Sequence, residues 1–375
     1  MADADKSLLT GLLKQVSRSF YLTLRILPRA VRPQIGLAYL LARTTDTIAD
    51  TEIIPLEKRL SALGMLRSRI FGQTEARLDF GELAQHQGMP AERVLLERVE
   101  DSLALLSTLS PEDLELVRKV IDTIVGGQEL DLMRFGNSVI SADSTESAAR
   151  PSANPQLSNS PARGNNNPPL LGERAGVRAG FPTRIIALQK DAELDNYTYR
   201  VAGCVGEFWT KMCRAHLFSD AKLDEAQLLA DGVRFGKGLQ LVNILRDLPR
   251  DLQQGRCYIP VERLDRAGLK PEDLLRPQTE KQFRAVYHEL LDLAEAHLRA
   301  GWRYTNTIPA NQWRVRLACA WPILIGVRTL QLLRAGNPLD PANRIKTSRA
   351  EVRSILWGSI IRVPFPSAFH NLWRG

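Results

Sequence analysis

The chain has 375 residues, of which 44% are hydrophobic and 25% charged, with a formal net charge of +8. That composition belongs to a folded protein and excludes a wholly disordered chain, a collagen-like repeat and a disulfide-rich miniprotein. The length allows one large domain or two ordinary ones. The charge is unevenly placed. Residues 299–375 hold 12 bases and two acids, Asp340 and Glu351, a net of +10 that leaves the rest at −2. Such a block suits an anionic surface. Lipid headgroups fit better than nucleic acid, because no recognition motif for nucleic acid is present and the arginines are spread among Leu, Ile, Val and Trp. The alternative is an ordinary solvated helix face.

From the N-terminus onward, apolar residues recur at three- and four-residue spacing through 8–48, 56–72, 91–133, 185–218, 222–252, 279–304 and 310–335, which predicts helices over those ranges. Alternating strand patterns are nearly absent. Ser110-Pro111-Glu112-Asp113 and Lys270-Pro271-Glu272-Asp273 read as helix starts. The pattern predicts an all-α bundle. Residues 138–183 depart from it. They are rich in Ser, Asn, Pro and Ala, hold six of the 21 prolines and show no sustained period. They read as a disordered insertion within one domain, because helical patterns resume beyond them.

The N-terminal MADADKSLLTGLL starts acidic and has no long apolar core, so no signal peptide is expected. The longest apolar run, 317–327, is too short to span a bilayer. Cys204, Cys213, Cys257 and Cys319 form no CxxC pair and read as reduced core residues. The expected location is cytoplasmic, with peripheral contact at the inner membrane surface through the basic segment.

Two segments carry chemistry. In YLLARTTDTIAD (39–50), Tyr39, Arg43, Asp46 and Asp50 stand at i, i+4, i+7 and i+11, one helix face. In QLVNILRDLPRD (240–251), Gln240, Asn243, Asp247 and Asp251 stand at i, i+3, i+7 and i+11. A lone DxxxD is ordinarily solvated surface. Two matched faces on apolar helices, each with arginine beside the acids, point instead to Mg²⁺ and a diphosphate held between them, since Mg²⁺ takes oxygen ligands and keeps room for water and phosphate. Arg18, Arg43, Arg246 and Arg256 supply planar forks suited to phosphate, although each is equally at home in a structural ion pair. His86, His216, His288, His297 and His370 show no metal-ligand spacing. The glycines of GVRFGKG (232–238) lack the spacing of a phosphate loop and follow no strand.

At these residues the sequence resembles the squalene/phytoene synthase family over nearly the whole chain outside 138–183. The anchors are SRSF (17–20), YLLARTTDTIAD, YTYRVAGCVGE (197–207), QLVNILRDLPRDLQQGRCYIP (240–260) and CAWP (319–322). The resemblance implies a single-domain isoprenoid-synthase bundle around a deep apolar cavity. It implies Mg²⁺ at Asp46, Asp50, Asp247 and Asp251, and farnesyl diphosphate as substrate. Arg18, Arg43, Arg246 and Arg256 would contact the diphosphates, with Tyr39, Gln240 and Asn243 completing the polar rim. Tyr197 would be the catalytic tyrosine, assisting proton removal. Ala202, Gly203 and Gly206 would leave room for an isoprenoid chain or else pack helices tightly. Trp321 would steady cations or else fill core.

CAWP and the run 344–352 resemble the squalene-forming branch without a membrane anchor, whereas GRCYIP resembles the phytoene-forming one. The expected reaction joins two farnesyl diphosphates to presqualene diphosphate and reduces it with NADPH to squalene. The alternatives are presqualene diphosphate, dehydrosqualene or phytoene as final product, or a non-catalytic assembly factor, which would be expected to lose the aspartate pairs. Two features depart from the family pattern. Ala49 and Arg250 stand where an acid is common before the last Asp of each motif, and Pro249 removes a helix hydrogen bond within the second. Both predict weaker metal binding there unless Arg250 turns away.

Overall fold

A computed structural model describes residues 7–17, 20–136, 184–342 and 345–374. The expected insertion at 138–183 and the expected phosphate ligand Arg18 lie outside them. Proline sets the first breaks. The periodic stretch 8–48 is not one rod, because Pro28 drives Leu27 out of the helical region, to φ −54° and ψ 146°. The stretch divides into Ser7–Leu12, Leu13–Ser17, Tyr21–Ile26 and α1, Arg32–Ala49, which carries a proline in its first turn.

There follow α2, Leu56–Ile70, the short helices Pro90–Glu97 and Val99–Leu106, and α3, Pro111–Phe135. α3 starts as its sequence predicts, with the Ser110 hydroxyl accepting from the Asp113 N–H at 3.2 Å. The Lys270 start yields only the short 3₁₀ turn Pro271–Leu275.

The helix expected over 185–218 begins later. Ile186–Ala187 (β1) pairs in parallel with Arg256–Cys257 (β2), and α4 runs over Asp191–Thr198. A π-helical turn, Tyr199–Gly203, joins α4 to α5, Cys204–Leu217. Then come α6, Glu225–Gln253, α7, Glu280–Thr307, and α8, Trp313–Ala335. A last long helix, α9, Arg349–Arg362, was not expected, because RAEVRSILWGSIIR is apolar on more than one side and shows no single stripe.

α6 runs through the middle of the molecule, packed against α5, α7 and α8. One buried apolar cluster gathers side chains of α1, α2, α3 and α5, and a second gathers those of α6, α7 and α8. The two halves meet where small residues bring backbones together. A Cβ on Gly206 would lie 1.9 Å from the Gly232 oxygen, and one on Gly236 would lie 2.1 Å from the Ala202 oxygen. The glycines of 232–238 therefore serve helix packing in mid-α6. The four cysteines are free and buried. Ala310–Ala335 is long and apolar enough to cross a membrane by length and composition, yet 67% of its apolar 18-residue stretch is buried in the fold, as suits a core helix.

Pro249 does not end α6. Its missing N–H leaves the Leu245 carbonyl without its helical donor, and the Tyr287 hydroxyl of α7 donates to that carbonyl at 2.9 Å. The helix continues to Gln253, and Gly255, with φ +75°, makes the left-handed turn into β2.

The α5–α6 contact makes Gly236→Ala costly. It should destabilise the protein by about 2–4 kcal/mol, read from a denaturant or thermal melt. Gly64→Ala, where nothing lies within 4 Å of the new methyl, should cost nothing. Equal melts for both variants would contradict a close backbone contact.

Candidate active site

Two acidic helix ends define the site. Asp46 and Asp50 close α1, and Asp247 and Asp251 close α6. A helix C-terminus already presents partial negative charge, so acids are unfavourable there without help. At α1 that help is Arg59 of α2, a buried side chain whose guanidinium donates to the Ala49 carbonyl at 2.8 Å.

The carboxylates face solvent on one side and protein on the others. Burial, reinforced by the neighbouring Asp50, pushes Asp46 up to about 7 against the pull of Arg43 and of the Gln128 amide, which donates to it from α3. Arg43 lies 3.8 Å from Asp46 and also pairs with Glu92. Asp50 is raised by burial and held back by Arg43 and Arg256. On α6, burial and then Asp247 push Asp251 up to about 7, opposed by Arg256 and Arg250. Asp247 itself is gripped by both forks of Arg246, at 2.9 and 2.6 Å.

Arg256 joins the two motifs. From β2 it donates to Glu52, just beyond α1, at 2.8 Å, and its charge acts on both Asp50 and Asp251. Arg250 is exposed, makes no ion pair with either α6 aspartate among the described residues, and lends its charge to Asp50 and Asp251 alike. The departure at position 250 thus adds a cation at the rim and blocks no carboxylate.

Tyr197, on α4, looks toward the same groups. Its ring stacks on Tyr258 with centroids 4.7 Å apart. Tyr258 donates to both oxygens of Asp131 on α3 at 3.0 Å. Burial raises Asp131 to about 6, with Arg256 and Tyr258 opposing. Tyr197 is raised by burial and by Asp131, so its phenol keeps its proton at neutral pH.

The sequence reading missed Glu52, Glu92, Gln128, Asp131 and Tyr258. Tyr258 lay in plain view inside GRCYIP. Gln128 and Asp131 are one turn apart on α3, but that helix carries many other charged residues, so the pair does not stand out as the aspartate pairs do.

An apolar pocket of about 610 Å³, mouth included, lies between α5, α6 and α8 and is lined by Phe20, Val201, Ala202, Val205, Phe235 and Leu239 among others. It adjoins the polar faces along both motif helices. Phe20 stacks on Tyr39 at 5.4 Å, one turn before Arg43, and Leu239 precedes Gln240. Gln240 is half-buried and Asn243 exposed on the approach to Asp247. Ala202 and Gly206 both line the pocket and pack against α6, so the two readings of these small residues hold together. Gly203 packs against Val233 and Lys237. Trp321 is core: it is buried, and its indole N–H donates to Ser359 at 2.9 Å.

The model of the squalene/phytoene synthase family matches residues 13–351. A presqualene diphosphate synthase of Rhodopseudomonas palustris is 27% identical over 341 residues, 90% of this chain and 91% of that protein. A phytoene synthase of Thermus thermophilus is 35% identical over 144 residues, 38% of this chain and 47% of that protein, so this match spans under half of the relative. Among solved structures, TcSQS in complex with a ligand shares the fold, with a TM-score of 0.69 and 19% identity over 95% of this chain and 85% of that one. With a match of that extent laid over paired aspartate helices in an all-α bundle, the chain belongs to the squalene/phytoene synthase family, whose members are prenyltransferases that join prenyl diphosphates head to head.

Proposed function

We propose that the protein condenses two farnesyl diphosphates head to head into presqualene diphosphate, with the diphosphates bound between the ends of α1 and α6. The observation that carries this reading is the facing set of Asp46, Asp50 and Arg43 against Asp247, Asp251 and Arg246, with Arg256 acting on both, beside an apolar pocket. A relative matched over 91% of its length, a presqualene diphosphate synthase, supports the product. Onward reduction to squalene with NADPH is the second reading, favoured by the CAWP segment, whose Cys319 and Pro322 line the pocket. A non-catalytic role is disfavoured because both aspartate pairs are retained.

The donor set fits Mg²⁺. It is all carboxylate oxygen, and among the described residues no three acidic, His or Cys groups converge, so phosphate and water would complete each shell. Bound there, Mg²⁺ would supply the charge neutralisation that lets a diphosphate leave. Arg43, Arg246 and Arg256 exchange carboxylate partners for phosphate oxygens. The buried Nε atoms of Arg43 and Arg256 have no acceptor in the free protein.

The hydrocarbon tail lies in the apolar pocket, where the allylic cation is kept from water. The double bond of the second molecule attacks that cation, and loss of a proton gives the C–H electron pair to the closing ring. Tyr197 acts in that step as a protonated relay. Its oxygen takes the proton while its own passes to Tyr258 and on to Asp131.

Incubation with farnesyl diphosphate and Mg²⁺ should yield presqualene diphosphate, identified by mass spectrometry. Squalene appearing only with NADPH would extend the reaction, whereas phytoene from the C20 substrate would overturn it. Asp46→Asn and Asp247→Asn should abolish turnover with an unchanged circular dichroism spectrum.

Tyr197→Phe and Asp131→Asn should each lower kcat by about 10²- to 10³-fold with KM little changed. Full activity in either variant would remove the relay.

The free site keeps protons on Asp46 and Asp251 up to about pH 7, where an ordinary aspartate has lost them near pH 4. Mg²⁺ must displace those protons, so its affinity should rise as pH is raised through about 7 and weaken below it. Isothermal titration across that range checks this, and a flat profile would contradict it.

A further inference from the structure

A surface helix ordinarily buries one apolar stripe and shows water a polar one. α9 is apolar on both sides. Inward, it sets Ser359 against Trp321 and rests Ile355 and Leu356 on the core. Outward, Trp357, Ile360 and Ile361, with Phe365 one turn further, are 66%, 38%, 66% and 63% exposed. Single exposed apolar side chains need no explanation, but a contiguous patch does.

Cations frame this patch. The +10 of residues 299–375 is smaller as surface charge than as a count. Arg299, Arg303, Arg328 and Arg334 are bound to acids, and Arg316 is buried over the Phe369 ring. Lys346, Arg349, Arg353 and Arg362 have no acidic partner among the described residues. The one acid of α9, Glu351, is neutralised by Arg328 and by the Ser348 N–H. At 3.6 residues per turn, Arg349, Arg353, Trp357, Ile360 and Ile361 fall within about a third of the helix circumference.

We propose that α9 and the Phe365 turn dock the protein onto an anionic lipid bilayer. Trp357, Ile361 and Phe365 enter the boundary between headgroups and acyl chains, and Arg349 and Arg353 meet headgroup phosphates. Charge complementarity selects this occupant. A second copy of the chain would bring the same unpaired arginines face to face. The inference does not depend on which product the enzyme makes.

The test pellets the purified full chain with phosphatidylcholine vesicles and with vesicles that also contain phosphatidylglycerol. Pelleting should require the anionic lipid and be lost at high salt. Arg349→Gln and Arg353→Gln should each weaken binding about fivefold. Trp357→Ser with Ile361→Ser should weaken it at least about tenfold, with the circular dichroism spectrum unchanged. Failure to pellet with either vesicle, binding indifferent to lipid charge and salt, or variants that bind like the parent would each overturn the proposal. So would a dimer on gel filtration that the Trp357 and Ile361 changes dissociate while the parent ignores vesicles.

Discussion

Repulsion between carboxylates governs the middle of this molecule. Four aspartates are collected at the C-terminal ends of α1 and α6, where the backbone dipoles already point negative charge, and a fifth, Asp131, faces them from α3. Their discomfort is visible in Asp46 and Asp251, both held near 7. The surroundings are arranged as counter-charge: Arg59 on the last carbonyl of α1, Arg246 on Asp247, Arg43 beside Asp46, and Arg256 tied to Glu52 between the two ends. The arginines that make the free protein tolerable are the groups a polyanion would recruit. Stability of this cluster and any affinity it has for a polyanion would therefore draw on the same side chains.

Holding two such ends near each other asks for rigid, closely packed helices. The Gly206–Gly232 and Ala202–Gly236 contacts set the separation of α5 from α6, and the parallel pair β1–β2 fixes Arg256 and Tyr258 to the chain entering α4. Tyr197 and Tyr258 can stack because these two constraints act together. The apolar pocket lies beside the same close contact, so the packing that positions the charged groups also shapes that pocket.

Much of this was legible in the sequence. Helical periodicity located most of the helices. The two four-residue polar faces located Asp46, Asp50, Asp247 and Asp251, because local spacing alone puts them on one side of a helix. The remainder depended on distance in the chain. Asp131 meets Tyr258 across 127 positions, and a single acid on α3 looks like solvated surface until that partner is known. β1 and β2 are two residues each, too short for any alternation to register. α9 escaped because its outer face is as apolar as its inner one. The final product was not legible, since presqualene- and phytoene-forming relatives both match this chain.

The bond from Tyr287 to the Leu245 carbonyl has a consequence for how sequences like this one can change. Pro249 and Tyr287 sit on different helices, yet each is acceptable largely because of the other. Losing the hydroxyl strands a carbonyl, and restoring an N–H at position 249 makes the hydroxyl redundant. Substitutions at the two positions should therefore appear together among relatives, as a correlated pair in which a helix-disrupting residue beside the acidic motif is kept harmless by a phenol from the neighbouring helix.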